Sequence, residues 1–218
     1  MTTYVLVPGF WLGGWAWDAV AAPLRAEGHD VHQVSPVLDR GATVADHVDQ
    51  LTGLLSGLDD VVLVGHSYGG LIVTAAADRA PERVARLVYV DTGPLPDGMS
   101  QADFEGAPPQ EADGMVPVPA DAPPSAAGFD WAVIRERGRA QPIGTATGPV
   151  RHGGAWRSVP RTGILCSFTE TQLRELAATV PAFALMVGDD WTYAELPTGH
   201  WPMFSEPRAL ASLLSGLA

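Results

Sequence analysis

Two hydrophobic periods alternate along the first ninety residues. Tyr4 to Val7 is a continuous apolar run that stops at Pro8-Gly9, the signature of a short buried strand. Trp17 to Glu27 carries apolar residues at helical spacing and ends at Gly28, a helix stop. Val31 to Val37 reads as a second, weaker strand. Val44 to Leu58 reads as an amphipathic helix with Val44, Val48, Leu51, Leu54, Leu55 and Leu58 on one face. Val61 to Val64 is apolar throughout, as a strand covered on both faces must be. A helix is expected over Leu71 to Ala80 and a strand over Leu87 to Val90. Strands alternating with helices in this way predict an α/β fold with a mostly parallel central sheet flanked by helices.

The pattern breaks between residues 94 and 160, which hold 11 of the 19 prolines. A segment this long is more than a connecting loop. Phe129, Trp131, Val133, Ile134 and Trp156 give it something to bury, which favours an inserted lid over a partly disordered stretch. The α/β pattern returns at Ile164-Leu165-Cys166. A helix over Glu170 to Ala178, a strand over Trp191 to Leu196 and a closing helix over Arg208 to Leu217 are expected next. Residues 1–93 and 161–218 thus form the core and 94–160 the insertion.

Composition narrows the function. With 218 residues and a formal charge of −12, the chain is a poor partner for nucleic acid, whose phosphates call for a basic surface. All 13 basic residues are arginines, so neither a lysine Schiff base nor a P-loop lysine is available. The single cysteine, Cys166, cannot form an intrachain disulfide or a multi-cysteine metal site. There is no apolar run long enough for a membrane span, and Met1 to Val7 does not resemble a signal peptide, so a cytoplasmic location is expected. Monomer and homodimer both stay open.

One motif carries chemistry. Gly65-His66-Ser67-Tyr68-Gly69 follows a buried strand and opens a helix, the context in which G-x-S-x-G forms a nucleophile elbow. The serine sits in a strained turn, and its neighbours two residues away must be small for the turn to close. The helix that follows aims its positive end at the reacting oxygen. Ser67 is therefore the candidate nucleophile. With this elbow, and with Leu6-Val7-Pro8-Gly9-Phe10-Trp11-Leu12-Gly13-Gly14-Trp15 at its start, the chain resembles the α/β-hydrolase fold family. More narrowly it resembles the esterase branch that includes plant methylesterases and hydroxynitrile lyases. The resemblance covers about two-thirds of the chain and leaves out the insertion.

A serine hydroxyl needs a base. Of six histidines, His200 in Thr198-Gly199-His200-Trp201 follows the last strand, where the order Ser, acid, His puts the base. His29 and His32 flank an early strand, His47 lies on a helix and His152 in the insertion. His66 is read as a packing or surface residue turned from the serine. By resemblance the oxyanion hole uses the backbone N–H groups of Phe10 and Tyr68. The acid is open. Thr169 stands where a relative often has Asp. Asp91, one strand earlier, is favoured because some members of the fold, haloalkane dehalogenases among them, place their acid there; Glu170, or no acid at all, is the alternative, and Asp189 and Asp190, before the last strand, are expected on the opposite edge of the sheet from His200.

This machinery implies ester or lactone hydrolysis of a small, largely apolar molecule through an acyl-enzyme, with no metal or organic cofactor. Trp11 and Trp201 are expected on the substrate pocket. The plant lyases carry a Lys after the catalytic His; Trp201 stands there, which argues against a cyanohydrin lyase. A lyase, cyclase or carbon–carbon hydrolase on the same scaffold is the rival reading, and a non-catalytic binding module is the third.

Overall fold

The computed structural model describes residues 1–126 and 128–217. In chain order the first half comprises β1 (Thr3–Val7), α1 (Asp18–Ala26), β2 (Asp30–Gln33), α2 (Val44–Leu55), β3 (Val61–His66), α3 (Gly69–Arg79) and β4 (Val84–Val90). The insertion holds α4 (Gln101–Glu105), β5 (Met115–Val116), α5 (Ala132–Arg137), β6 (Gln141–Pro142) and α6 (Ile143–Thr147). The chain closes with β7 (Arg161–Leu165), α7 (Glu170–Ala177), α8 (Pro181–Ala184), β8 (Trp191–Glu195), α9 (Pro202–Ser205) and α10 (Pro207–Ser215).

Six strands form one parallel sheet in the order β2-β1-β3-β4-β7-β8. Side-chain alternation splits its core in two. Val5, Val7, Val61, Leu63, Leu87 and Tyr89 face α2 and α3. Tyr4, Leu6, Val62, Val64, Val88 and Val90 face α1 and α10. Coverage on both faces is why these strands read as unbroken apolar runs.

Element ends moved by a few residues from the sequence reading. β2 stops at Gln33, because Gly14 and Val37 take the side chains of Ser35 and Gln50 as acceptors and Pro36 has no N–H to give a ladder. α2 ends at Leu55, where Ser56 and Gly57 turn the chain. Its start is set by a capping box between Thr43 and Asp46.

The insertion buries Trp131, Ile134 and Trp156, with Phe129 and Val133 half-buried. β5 and β6 pair antiparallel, and the Trp131 indole N–H donates to the Pro119 carbonyl at 3.1 Å. Asp78, near the end of α3, accepts the backbone N–H groups of Gly153, Gly154 and Trp156, which ties the returning chain to the sheet layer. No helix among the described residues is long and apolar enough to cross a membrane.

Candidate active site

Ser67 lies between β3 and α3 with φ +52°, in the left-handed region. Such a conformation costs a non-glycine residue on the order of 1 kcal/mol or more, so the surroundings must hold it. A Cβ on Gly65 would come within 2.7 Å of the Gly69 carbonyl, and one on Gly69 within 2.6 Å of the Val7 carbonyl. The turn closes only because both are glycine. The Ser67 carbonyl then accepts from the Gly70 N–H at 2.8 Å and the Thr92 hydroxyl at 2.7 Å.

Asp91 caps the adjacent strand, also with positive φ, at +48°. Its side chain is 1% exposed, and four donors converge on it. The N–H groups of Cys166 and Ser167 reach Oδ1 at 2.9 and 2.8 Å. The Ser167 hydroxyl and His200 Nδ1 reach Oδ2, each at 2.7 Å. Burial alone would raise the carboxyl's pKa, but the bonds from His200 and Ser167 outweigh it and hold it below the usual carboxylate range. An ionised carboxylate facing Nδ1 fixes the proton there and leaves His200 Nε2 with a free lone pair.

The backbone of His200 is held from both sides. Its N–H donates to the Ser125 carbonyl at 3.2 Å, and its carbonyl accepts from His66 Nε2 at 2.7 Å. His66 is fully buried, with its ring 4.8 Å from that of His200. Burial, helped by the neighbouring His200, pushes its pKa down to about 3, so the imidazole stays neutral. It is no surface residue: it supports the loop that carries His200.

Ser67, Asp91 and His200 line one cavity of about 350 Å³, within the range of small-molecule sites. Among the described residues the Ser67 hydroxyl and His200 share this cavity without a hydrogen bond between them, as is common before substrate is bound. Its apolar wall comes from Phe104 of α4 in the insertion and from Phe168, Phe183 and Met186 in the core. The backbone N–H groups of Phe10 and Tyr68 donate to no other group among the described residues, and Tyr68 stands at the N-terminus of α3.

Two expectations about the pocket, Trp201 and Trp11, are corrected. Trp201 is absent from the cavity wall: the chain turns into α9 at Pro202, which buries the indole between Trp131 and the back of His200. Trp11, whose φ is +66°, lines a separate cavity of about 420 Å³ together with Phe10, Val116 and Val118. Glu170 turns outward to Arg174 at 2.6 Å, and Thr169 is the N-cap of α7. Asp190 pairs with Arg161 at the start of β7, remote from the carboxyl ends of the strands. Of the insertion's arginines, Arg137 pairs with Asp18 and Arg151 with Asp97, and none lines the Ser67 cavity. Sequence reasoning missed Ser167, His66 and His47. A serine at the end of β7 beside the expected acid position was the one available hint.

The Alpha/beta hydrolase family model matches residues 4–213. A carbendazim hydrolyzing esterase of Nocardioides sp. (strain SG-4G) is 40% identical over 101 residues, covering 42% of each chain. Methylesterase 7 of Arabidopsis thaliana is 39% identical over 99 residues, 40% of this chain and 38% of that protein. The matched stretch thus spans about two-fifths of these curated relatives. An extracellular alpha/beta-hydrolase from a Paenibacillus species superposes with a TM-score of 0.76 at 20% identity, covering 99% of this chain and 98% of that one. With the family model matched from the first strand to the last helix, the chain belongs to the alpha/beta hydrolase family.

Proposed function

We propose that the protein is a serine hydrolase that cleaves an ester or lactone of a small, largely apolar molecule. The observation that carries this reading is the 2.7 Å bond between His200 Nδ1 and Asp91 on the cavity that Ser67 lines. Similarity to proteins named esterase and methylesterase supports the same chemistry.

In this reaction Ser67 Oγ attacks the carbonyl carbon while His200 Nε2 takes its proton. The developing oxyanion is met by the N–H groups of Phe10 and Tyr68. Asp91 stabilises the imidazolium without itself taking a proton. Collapse of the tetrahedral species expels the alcohol, protonated by His200. Water, deprotonated by the same nitrogen, then releases the acid. The insertion acts as a lid whose Phe104 closes one wall of the site.

The test is labelling by a fluorophosphonate together with hydrolysis of p-nitrophenyl esters. The expected result is covalent labelling of wild type at Ser67. Turnover falls roughly 10⁴- to 10⁶-fold in Ser67→Ala and His200→Ala. A folded wild type that neither labels nor turns over ends this reading.

A further inference from the structure

The two residues assigned to the oxyanion hole each sit next to a strained one. Tyr68 follows Ser67, and Phe10 precedes Trp11; Ser67 and Trp11 both have positive φ. The hole therefore needs something that holds residues 10 and 68 in place, and their side chains provide it. The Phe10 and Tyr68 rings stack at 4.5 Å with an interplanar angle of 22°. Neither ring lines the Ser67 cavity.

The stack is anchored at its far end. The Tyr68 hydroxyl donates to His47 Nδ1 at 2.9 Å. His47 Nε2 in turn meets the Val37 carbonyl at 2.6 Å. A carbonyl can only accept, so the proton is on Nε2 and Nδ1 must be the acceptor. His47 is 3% exposed on α2, whose first turn is held by the Thr43–Asp46 capping box. Thr145 of α6 lies beside the phenol oxygen, so the anchor also meets the insertion. A buried His–Tyr pair is costly compared with apolar side chains filling the same space. What it adds is direction: a fixed ring orientation for the residue whose N–H must point at the reacting oxygen.

We propose that His47 is a positioning residue for the oxyanion hole, acting through the Tyr68 hydroxyl and the Tyr68–Phe10 stack. The inference rests on the hydrolase reading above. It takes no part in proton transfer to or from substrate; its effect is confined to the state in which the carbonyl oxygen carries charge.

The experiment uses Tyr68→Phe, which removes only the hydroxyl and keeps the stack, together with His47→Phe and the double variant. The readouts are kcat and KM on p-nitrophenyl acetate, and inhibition by an aryl trifluoromethyl ketone, whose adduct with serine carries an oxyanion. Each single variant is expected to lose about tenfold in kcat with KM within about twofold, and to bind the ketone about tenfold more weakly. The double variant is expected to be no worse than either single one, because both break the same contact. Losses that multiply in the double variant, a loss in KM instead of kcat, or unchanged ketone affinity overturn the proposal. If His47→Phe does not fold, Tyr68→Phe decides alone. A wild type that turns over beside an unimpaired Tyr68→Phe refutes only this inference. A wild type without turnover or labelling takes the hydrolase reading with it.

Discussion

The sheet and the insertion solve different problems with the same chain. In the sheet, four neighbouring strand ends each deliver one part of the site. β3 delivers Ser67, β4 Asp91, β7 the two N–H groups that hold Asp91, and the loop after β8 His200. Every part is fixed by backbone hydrogen bonds or by a glycine that admits no substitute. The insertion has two-residue strands and helices of five or six residues, and it supplies Phe104, exposed on the lip of the cavity. On the proposed reading the reacting groups sit on strand ends, while the insertion adds an apolar wall and, through Ser125, one contact to the His200 backbone.

That division can be broken at either end. The largest effect belongs to Asp91→Asn, which keeps the shape but presents an amide to His200 and to two backbone donors. A fall in kcat of about 10⁴ is expected for p-nitrophenyl esters of every chain length. A loss that depends on the acyl group would move Asp91 from the chemistry to substrate binding. Next comes Phe104→Ala. KM for a long-chain ester should rise roughly tenfold, with a much smaller change for the acetate, since the variant opens an apolar wall. An equal drop in kcat for both esters would mean that the insertion shares in the chemistry.

The third prediction concerns pH and stability. The ordinary value for His66 is 6.5 and its folded value about 3, so the unfolded chain takes up this proton first. Stability is fully present above about 6.5 and is lost as the pH falls toward 3. One such group contributes up to about 1.4 kcal/mol per pH unit. His47, whose pKa burial also lowers, acts in the same direction. Denaturant titrations between pH 7 and 5 should give a flatter slope for His66→Leu than for wild type; equal slopes would contradict a neutral buried imidazole. The smallest effect is that of Ser167→Ala, which removes one of the four donors to Asp91. It should lower kcat by about fivefold, near the 1 kcal/mol typical of a single hydrogen bond. An unchanged rate would show that the two N–H groups and His200 suffice.

Most of the sheet was legible because a doubly covered strand admits only apolar residues, so β1, β3 and β4 stand out as runs. The elbow was legible for a steric reason: Gly65 and Gly69 have no substitutes. Asp91 was not separable from Glu170 by pattern, since both follow strands. The pairing of β4 with β7 separates them, because it brings the N–H groups of Cys166 and Ser167 onto the Asp91 side chain. His47 and His66 looked alike in sequence, single histidines on a helix and a strand, and only burial gives them partners. Trp201 misled because an aromatic residue beside the candidate base can face either way, and here the turn into α9 sends it inward. β5 and β6 are too short for any period to register.

The insertion leaves from β4 and returns to β7, which are hydrogen-bonded neighbours. Its two ends are pinned across that seam by Asp91, bound to Cys166 and Ser167. Some seventy residues therefore hang from a gap one strand spacing wide. Lengthening or shortening such a segment changes its closure entropy only logarithmically and leaves the seam itself untouched. The segment between residues 94 and 160 is in effect one long loop closed at a single seam, yet it reaches back to the site: Ser125 accepts the His200 N–H, so a graft or deletion that leaves Ser67 and Asp91 in place must also keep that contact.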